Sequence, residues 1–281
     1  MTYRPIQKYA AVATVLSMFI SNVYAAEQAE TERLIRRITP SLAAIEATRE
    51  KKDEISADSF YETSDILQGT RTGHWSELTN RFGYSHQNIH SYISVSELER
   101  FDQKDYTANI GSYFNLKDSY LHLEAGFGWD VHYIYKFQSV AEYSHRLFKD
   151  VFWQTGYTYR AYGTDDTHLI YPGLIYYFGD SYISADYGIS FIESRDTSHL
   201  GIIKGSFAIT KFLDLLAGTA FGERLYDINE LDAREEFGYI LFTGLNIKIY
   251  KDISCRIGYS YSTEKPKFIK RSLNFGLGVK F

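Results

Sequence analysis

The last ten residues alternate without a break: Leu273, Phe275, Leu277, Val279 and Phe281 are apolar, while Ser272, Asn274, Gly276, Gly278 and Lys280 are small or polar. A period of two is the mark of an extended strand with one apolar and one polar face. The preceding run repeats the pattern, with Ile253, Cys255, Ile257, Tyr259 and Tyr261 set against Ser254, Arg256, Gly258, Ser260 and Ser262. Further copies set Leu121, Leu123, Ala125, Phe127 and Trp129 against His122, Glu124, Gly126 and Gly128, and Trp153, Thr155, Tyr157 and Tyr159 against Gln154, Gly156, Thr158 and Arg160. Another sets Ile183, Ala185, Tyr187, Ile189 and Phe191 against Ser184, Asp186, Gly188 and Ser190.

Alternation fits both a soluble sandwich, apolar face inward, and a membrane barrel, apolar face toward lipid. Run length separates them. The runs are about 10 to 12 residues, enough to cross a bilayer with tilt, whereas soluble strands are typically about five or six. Aromatic residues near run ends (Trp75, Trp129, Trp153, Tyr176, Tyr177, Phe178) fit interfacial girdles. Tyr and Phe together number 44, yet mean hydropathy is slightly negative, as expected when apolar and polar residues alternate. The expected fold is all-β, an antiparallel transmembrane β-barrel of the outer membrane.

Connections alternate in length. Tight charged turns occur at Tyr250-Lys251-Asp252, Gly179-Asp180 and Phe148-Lys149-Asp150, and within residues 211–214 and 116–119. Between them lie longer or more polar connections at 263–270, 224–237, 193–198, 163–167, 130–136 and 100–105. Short turns belong on the periplasmic side, which places both barrel termini there. Thirteen runs are clear between residues 74 and 281. Because bacterial single-chain barrels have an even number of strands, a weaker first strand is expected within residues 55–67. That gives 14 strands, with 12 as the alternative.

Residues 1–25 follow the plan of a secretory signal: Arg4 and Lys8, an apolar run from Ala10 to Ile20, then Val23-Tyr24-Ala25. An uncleaved anchor needs about 18 or more apolar residues, and this run breaks at Ser21 and Asn22. Cleavage after Ala25 removes two positive charges and no negative ones, moving the formal charge from -5 to -7, a balance that gives no support to a nucleic-acid partner. Residues 26–54 are rich in Ala, Glu, Arg and Lys, with Leu34, Ile38, Leu42 and Ile45 spaced for one helical face and a break at Thr39-Pro40. They form a periplasmic stalk, a partner-binding element or a plug for the lumen. Residues 55–281 are the barrel.

Several segments carry a resemblance. Trp75-Ser76-Glu77-Leu78-Thr79-Asn80-Arg81-Phe82-Gly83-Tyr84, Ala141-Glu142-Tyr143-Ser144-His145-Arg146, Gly156-Tyr157-Thr158-Tyr159-Arg160-Ala161-Tyr162, Tyr171-Pro172-Gly173-Leu174-Ile175-Tyr176-Tyr177-Phe178 and the closing aromatic strand together resemble the YaiO family of outer-membrane β-barrels. The resemblance implies a Gram-negative outer-membrane location and a barrel fold; it supplies no catalytic residue and no defined substrate. Other members carry helical repeats ahead of the barrel, where this chain has only a short helical segment. The last strand also looks like the signal read by the barrel-assembly machinery, which makes Phe281, Val279, Leu277 and Phe275 the candidate assembly residues. Packing against lipid is their other role.

A barrel of this strand number can enclose an aqueous lumen unless side chains or a plug fill it. Polar residues on the expected inner faces include His122, Glu124, Glu142, Arg146, Arg160, Asp186, Asn246, Lys248, Arg256 and Lys280. Glu124, Glu142, Arg146, Arg160, Asp186, Lys248 and Arg256 are the main lumen-lining candidates. Both signs occur, so no strong ion selectivity follows, and the same residues serve equally as an internal salt-bridge network. The expected function is a passive channel or a pore for surface polysaccharide, with a filled structural barrel as the alternative. A lipid-modifying enzyme needs a nucleophile, a base and an orienting acid held together. Ser144 and His145 are adjacent but face opposite sides of a strand, and no Gly-x-Ser-x-Gly motif is present. No catalytic, metal or cofactor residue is assigned: the eight histidines are scattered and Cys255 is alone. Expected partners are outer-membrane lipid and lipopolysaccharide, the assembly machinery, and polysaccharide or small solutes as cargo.

Overall fold

A computed structural model describes residues 53–163, 166–192, 197–223, 237–264 and 268–281. The signal and most of the helical segment expected at 1–54 lie outside these residues. Fourteen strands follow one another: β1 (Glu54–Gln68), β2 (Arg71–His86), β3 (Ile89–Arg100), β4 (Gln103–Leu116), β5 (Ser119–Trp129), β6 (Phe137–Arg146) and β7 (Val151–Ala161), then β8 (Asp166–Phe178), β9 (Ser181–Ile192), β10 (Ser198–Thr210), β11 (Leu213–Glu223), β12 (Phe237–Tyr250), β13 (Ile253–Glu264) and β14 (Phe268–Lys280). Each pairs antiparallel with its neighbours, and β1 closes on β14 from Ser56↔Lys280 to Gln68↔Phe268. The first strand, expected within 55–67, is β1, and the count is 14.

Closure leaves no strand edge unpaired, as a chain in hydrocarbon requires. At about 3.3 Å per residue and about 40° of tilt, a twelve-residue strand rises about 30 Å, the thickness of the bilayer core. The period of two sorts the side chains. Phe82, Ile93, Ile110, Phe127, Leu174, Tyr187, Leu241, Leu273 and Phe275 lie exposed on the outer face. Trp129, Trp153, Tyr176 and Phe178 are also outside, as girdle residues should be. Trp75 and Tyr177, expected in the girdle, instead face the lumen: Trp75 is buried with Ile66 and Phe268, and Tyr177 packs on Phe152 and Tyr182.

One rim carries only short connections, at 87–88, 117–118, 147–150, 179–180, 211–212 and 251–252, together with the start of β1 and Phe281. The other carries two tight turns, at 69–70 and 101–102, the loop at 130–136, and four connections that lie wholly or partly outside the described residues. The long connection expected at 100–105 is corrected here: Arg100 pairs with Gln103 and Glu99 with Lys104, leaving Phe101 and Asp102 as a two-residue turn. Both have positive φ, 48° and 67°, the geometry a tight hairpin needs and that Asn-Gly usually signals. Here the turn is held by its packing. The Phe101 ring meets Trp75 edge-on at 5.6 Å, the Arg71 guanidinium lies 4.1 Å above it, and a side chain at Gly73 would collide with it.

Candidate functional site in the barrel lumen

The inner face is polar where β3 to β8 form the wall. Tyr92 on β3 donates its hydroxyl hydrogen to Glu124 on β5. The same Tyr92 oxygen lies 2.9 Å from His122 Nε2, and His122 Nδ1 lies 2.7 Å from Glu142 on β6. Glu142 also accepts from the Tyr171 hydroxyl of β8 at 2.7 Å, and Glu124 accepts from Gln138 at 3.0 Å. Gln138 in turn accepts from Arg160 Nε at 3.0 Å. The Tyr113 ring stacks on His122 at 4.2 Å, and the Arg81 guanidinium sits 4.5 Å above Tyr92. Alternation therefore brings three sequence candidates, Glu124, Glu142 and Arg160, into one buried network. Asp186 joins a separate pair with Gln154.

Across the β1–β14 seam, Lys270 Nζ lies 3.7 Å from Glu62 and 5.2 Å above the Trp75 ring. Arg100 flanks the same ring at 5.0 Å. These cations border an apolar band of Ile66, Trp75, Leu169, Tyr171, Ile202, Ala220, Ile240 and Phe268. Aromatic faces attract cations, and more strongly when water is excluded. Toward the short-turn rim the inner wall is less buried. Arg256 lies 5.5 Å over Phe60, and Asn246 donates to Asp214 at 3.1 Å. Two candidates lie at this rim rather than deep in the lumen. Arg146 is half exposed and bonds Asp118 at 2.9 Å, and Lys248 is exposed near the end of β12.

At the opposite rim the 130–136 loop turns inward. Buried Asp105 accepts the backbone N–H of His132 (2.8 Å), the His132 ring Nδ1–H (2.9 Å) and the backbone N–H of Tyr133 (2.8 Å). Ile134 packs against Leu98, and the Tyr135 hydroxyl donates to Asn109 at 2.9 Å. Tyr135 lies over Gly128 and Gly126, where a side chain would collide with it or its neighbour Asn109. The hydrogen bond to Asp105 raises the pKa of the His132 imidazole above its ordinary 6.5. Sequence reading missed Asp105, Tyr135, Glu62 and Lys270. The first two carry no pattern until a loop is known to fold back, and the last two become partners only when β1 meets β14.

Ser144 and His145 are separated as alternation requires. Ser144 is buried inside, while His145 on the outer face lies 2.8 Å from Ser119. Among the described residues no three His, Cys, Asp or Glu side chains converge on a metal-sized site.

A family model described as the YaiO membrane beta barrel domain matches residues 53–210. The toluene transporter TbuX of Ralstonia pickettii superposes with a TM-score of 0.60 at 9% identity, over 85% of this chain and 93% of that one. A bacterial polysaccharide outer membrane secretin superposes with a TM-score of 0.56 at 9% identity, over 80% and 98%. At such identities what is shared is the fold. No curated protein sequence matches the chain.

Proposed function

Because the chain belongs to the YaiO family of outer-membrane β-barrels, we propose that it is a conduit through that membrane for polar solutes or polysaccharide, shut in the state described above. The observation that carries this reading is the ionic inner wall. Glu124, Glu142, Arg160, Asp186, Lys204, Glu62 and Lys270 are all buried and all face inward. Removing charges from water costs several kcal/mol per ion, and well-packed apolar residues fill a core at least as stably. A wall this rich in charge therefore suits water and polar cargo better than it suits static packing. The inward 130–136 loop and the apolar band account for closure.

In this reading the short-turn rim, with both barrel termini, faces the periplasm, and the long-connection rim faces outward among lipopolysaccharide. Phe275, Leu277, Val279 and Phe281 serve the assembly machinery. A second reading, a filled structural barrel, is favoured by the apolar band itself.

The test is single-channel recording of the refolded protein in a planar bilayer, paired with liposome swelling in sugars of increasing size. Openings in an Asp105→Ala variant, with the parent chain silent or rarely open, support a shut conduit. Silence of every variant that still folds overturns it in favour of the filled barrel.

A further inference from the structure

Among the described residues the strands turn their side-chain amides inward, with one exception. Asn109, Asn115, Gln138 and Gln154 are buried in the lumen, and Asn246 bonds Asp214 there. Asn80 on β2 instead shares the outer face with Phe82 and Tyr84, both exposed toward lipid. It stands four positions from Tyr84, which on a strand tilted by about 40° is about 10 Å into an apolar layer about 25 Å tall. Its direct neighbours across the sheet are Ser59 on β1 and Val95 on β3, and among the described residues its amide has no hydrogen-bond partner. At the same depth the outer face elsewhere carries groups such as Ile203, Ile257 and Phe275. An amide facing hydrocarbon has no water to bond and is costly there. The surface around it is uneven. Phe82 and Ile110 are 60% and 61% exposed, and Ile93 and Val95 also project, beside the small side chains of Ala57, Ser59, Ala108 and Ser112. Ala57 pairs directly with Phe82, and Ala108 with Val95. Toward the long-connection rim, Lys104 on β4 pairs with Glu97 and Glu99 on β3, so both signs of charge sit on this one face.

We propose that the outer face of β1 to β4 is where a second copy of the chain docks within the bilayer. Two copies inserted in one membrane point the same way, so a closed pair is related by a twofold axis along the membrane normal, and each residue meets residues of its own depth. Asn80 then meets Asn80. A side-chain amide is its own complement, because its NH2 donates and its carbonyl accepts, and a reciprocal pair of hydrogen bonds removes the penalty that a lone amide carries in lipid. Small residues let the two walls approach closely, as they do between membrane helices, and leave hollows for Phe82, Ile93 and Ile110 of the other copy. At the outer end the same axis brings Lys104 of each copy toward the acidic pair of the other. Amide, relief and charge are each self-complementary, which is what singles out a second copy as the occupant. The contact lies on the outer wall and stands whether or not the lumen conducts.

The experiment uses the full chain with Cys255→Ser as background and a single dye site at Lys251→Cys on the short-turn rim. Donor-labelled and acceptor-labelled protein are reconstituted together in liposomes, and resonance energy transfer is followed as the ratio of lipid to protein rises. The expected result is saturable association of the parent, weakened about tenfold by Asn80→Leu and kept by Asn80→Gln. Leucine suits a lipid-facing position, and heat-modifiable mobility in gels checks that the variant is folded. Transfer no greater than random crowding in the parent, or equal association of parent and Asn80→Leu, overturns the proposal. In native outer membranes, oxidation of Ser59→Cys in the same background should give a product of twice the mass, while Ala185→Cys on the opposite wall stays monomeric. A Ser59→Cys product that joins the chain to a different protein overturns the proposal by naming another occupant.

Discussion

Asp105 on β4 holds His132 by both its backbone N–H and its ring, at 2.8 and 2.9 Å, from a position itself only 1% exposed. The same carboxylate also takes the N–H of Tyr133 at 2.8 Å. A single side chain thus does for the 130–136 loop what a strand partner does elsewhere in the barrel. Asp105→Ala leaves these donors without their acceptor, at a cost of about 2–3 kcal/mol. The expected outcome is selective proteolytic cutting within 130–136 while the barrel remains folded by its resistance to detergent at room temperature. Equal protection of the loop in parent and variant would show that Tyr135 and Ile134 hold it unaided.

The same contact makes the loop sensitive to pH. The hydrogen bond to Asp105 raises the His132 pKa above 6.5, with Asp105 and Asp130 adding their charges. The protonated ring is therefore favoured in the docked loop. That stabilisation is fully present below the unfolded value of about 6.5 and is lost as pH rises through the higher docked value. Amide exchange at Tyr133 and Ile134, corrected for its intrinsic pH dependence, is expected to be slower at pH 6 than at pH 8.5. His132→Gln should flatten the difference. A parent profile that is already flat would remove His132 from the latch.

How far the sequence disclosed this depends on whether a feature repeats. The strands repeat, so Leu273 to Phe281, or Ile183 to Phe191, could be placed from their period, and their apolar faces turned toward lipid once run length had chosen a barrel. The count of fourteen needed only parity and turn spacing, whereas the family rested on the resemblance of particular segments such as 75–84 and 171–178. The inner faces of Glu124, Glu142, Arg160 and Asp186 followed directly from alternation. What alternation cannot give is height along the barrel, and Arg146 and Lys248 therefore lie at the short-turn rim although their parity is right. Nor can it reveal a turn whose left-handed backbone is held by distant packing. Phe101 and Asp102 carry no glycine or asparagine signal, and only the Trp75 ring and Arg71 above Phe101 explain the conformation. Trp75 itself reads as a girdle residue from its place near a strand end; its inward face is set by register with Arg100 on β3 and Ser64 on β1.

Arg256 lies on the less buried part of the inner wall, its guanidinium 5.5 Å above Phe60. If ions pass this point, a change of sign there alters the local potential within about a Debye length, about 10 Å at 0.1 M salt. Arg256→Glu is expected to shift the reversal potential of openings toward cation preference, more strongly at 0.1 M than at 1 M salt. Unchanged currents at both concentrations would take Arg256 out of the conduction path.

Phe281 ends the chain with its backbone pinned and its ring on the surface. Its N–H donates to the Ile55 carbonyl at 2.8 Å, closing the seam beside β14, while the side chain is 55% exposed. The seam bond belongs to the backbone, so Phe281→Asn leaves it intact, and an exposed substitution of this kind changes folded stability by about 0.5 kcal/mol or less. If the ring acts as an address for the assembly machinery, the variant should refold in vitro with an unchanged urea midpoint yet reach the outer membrane several-fold less efficiently in cells. Phe275→Asn, three same-face positions inward on the outer face, serves as the control for simple lipid contact, since a polar group there is set deeper in the bilayer. Equal losses for the two variants, or a normal level of heat-modifiable barrel for Phe281→Asn, would assign the terminal ring to lipid packing.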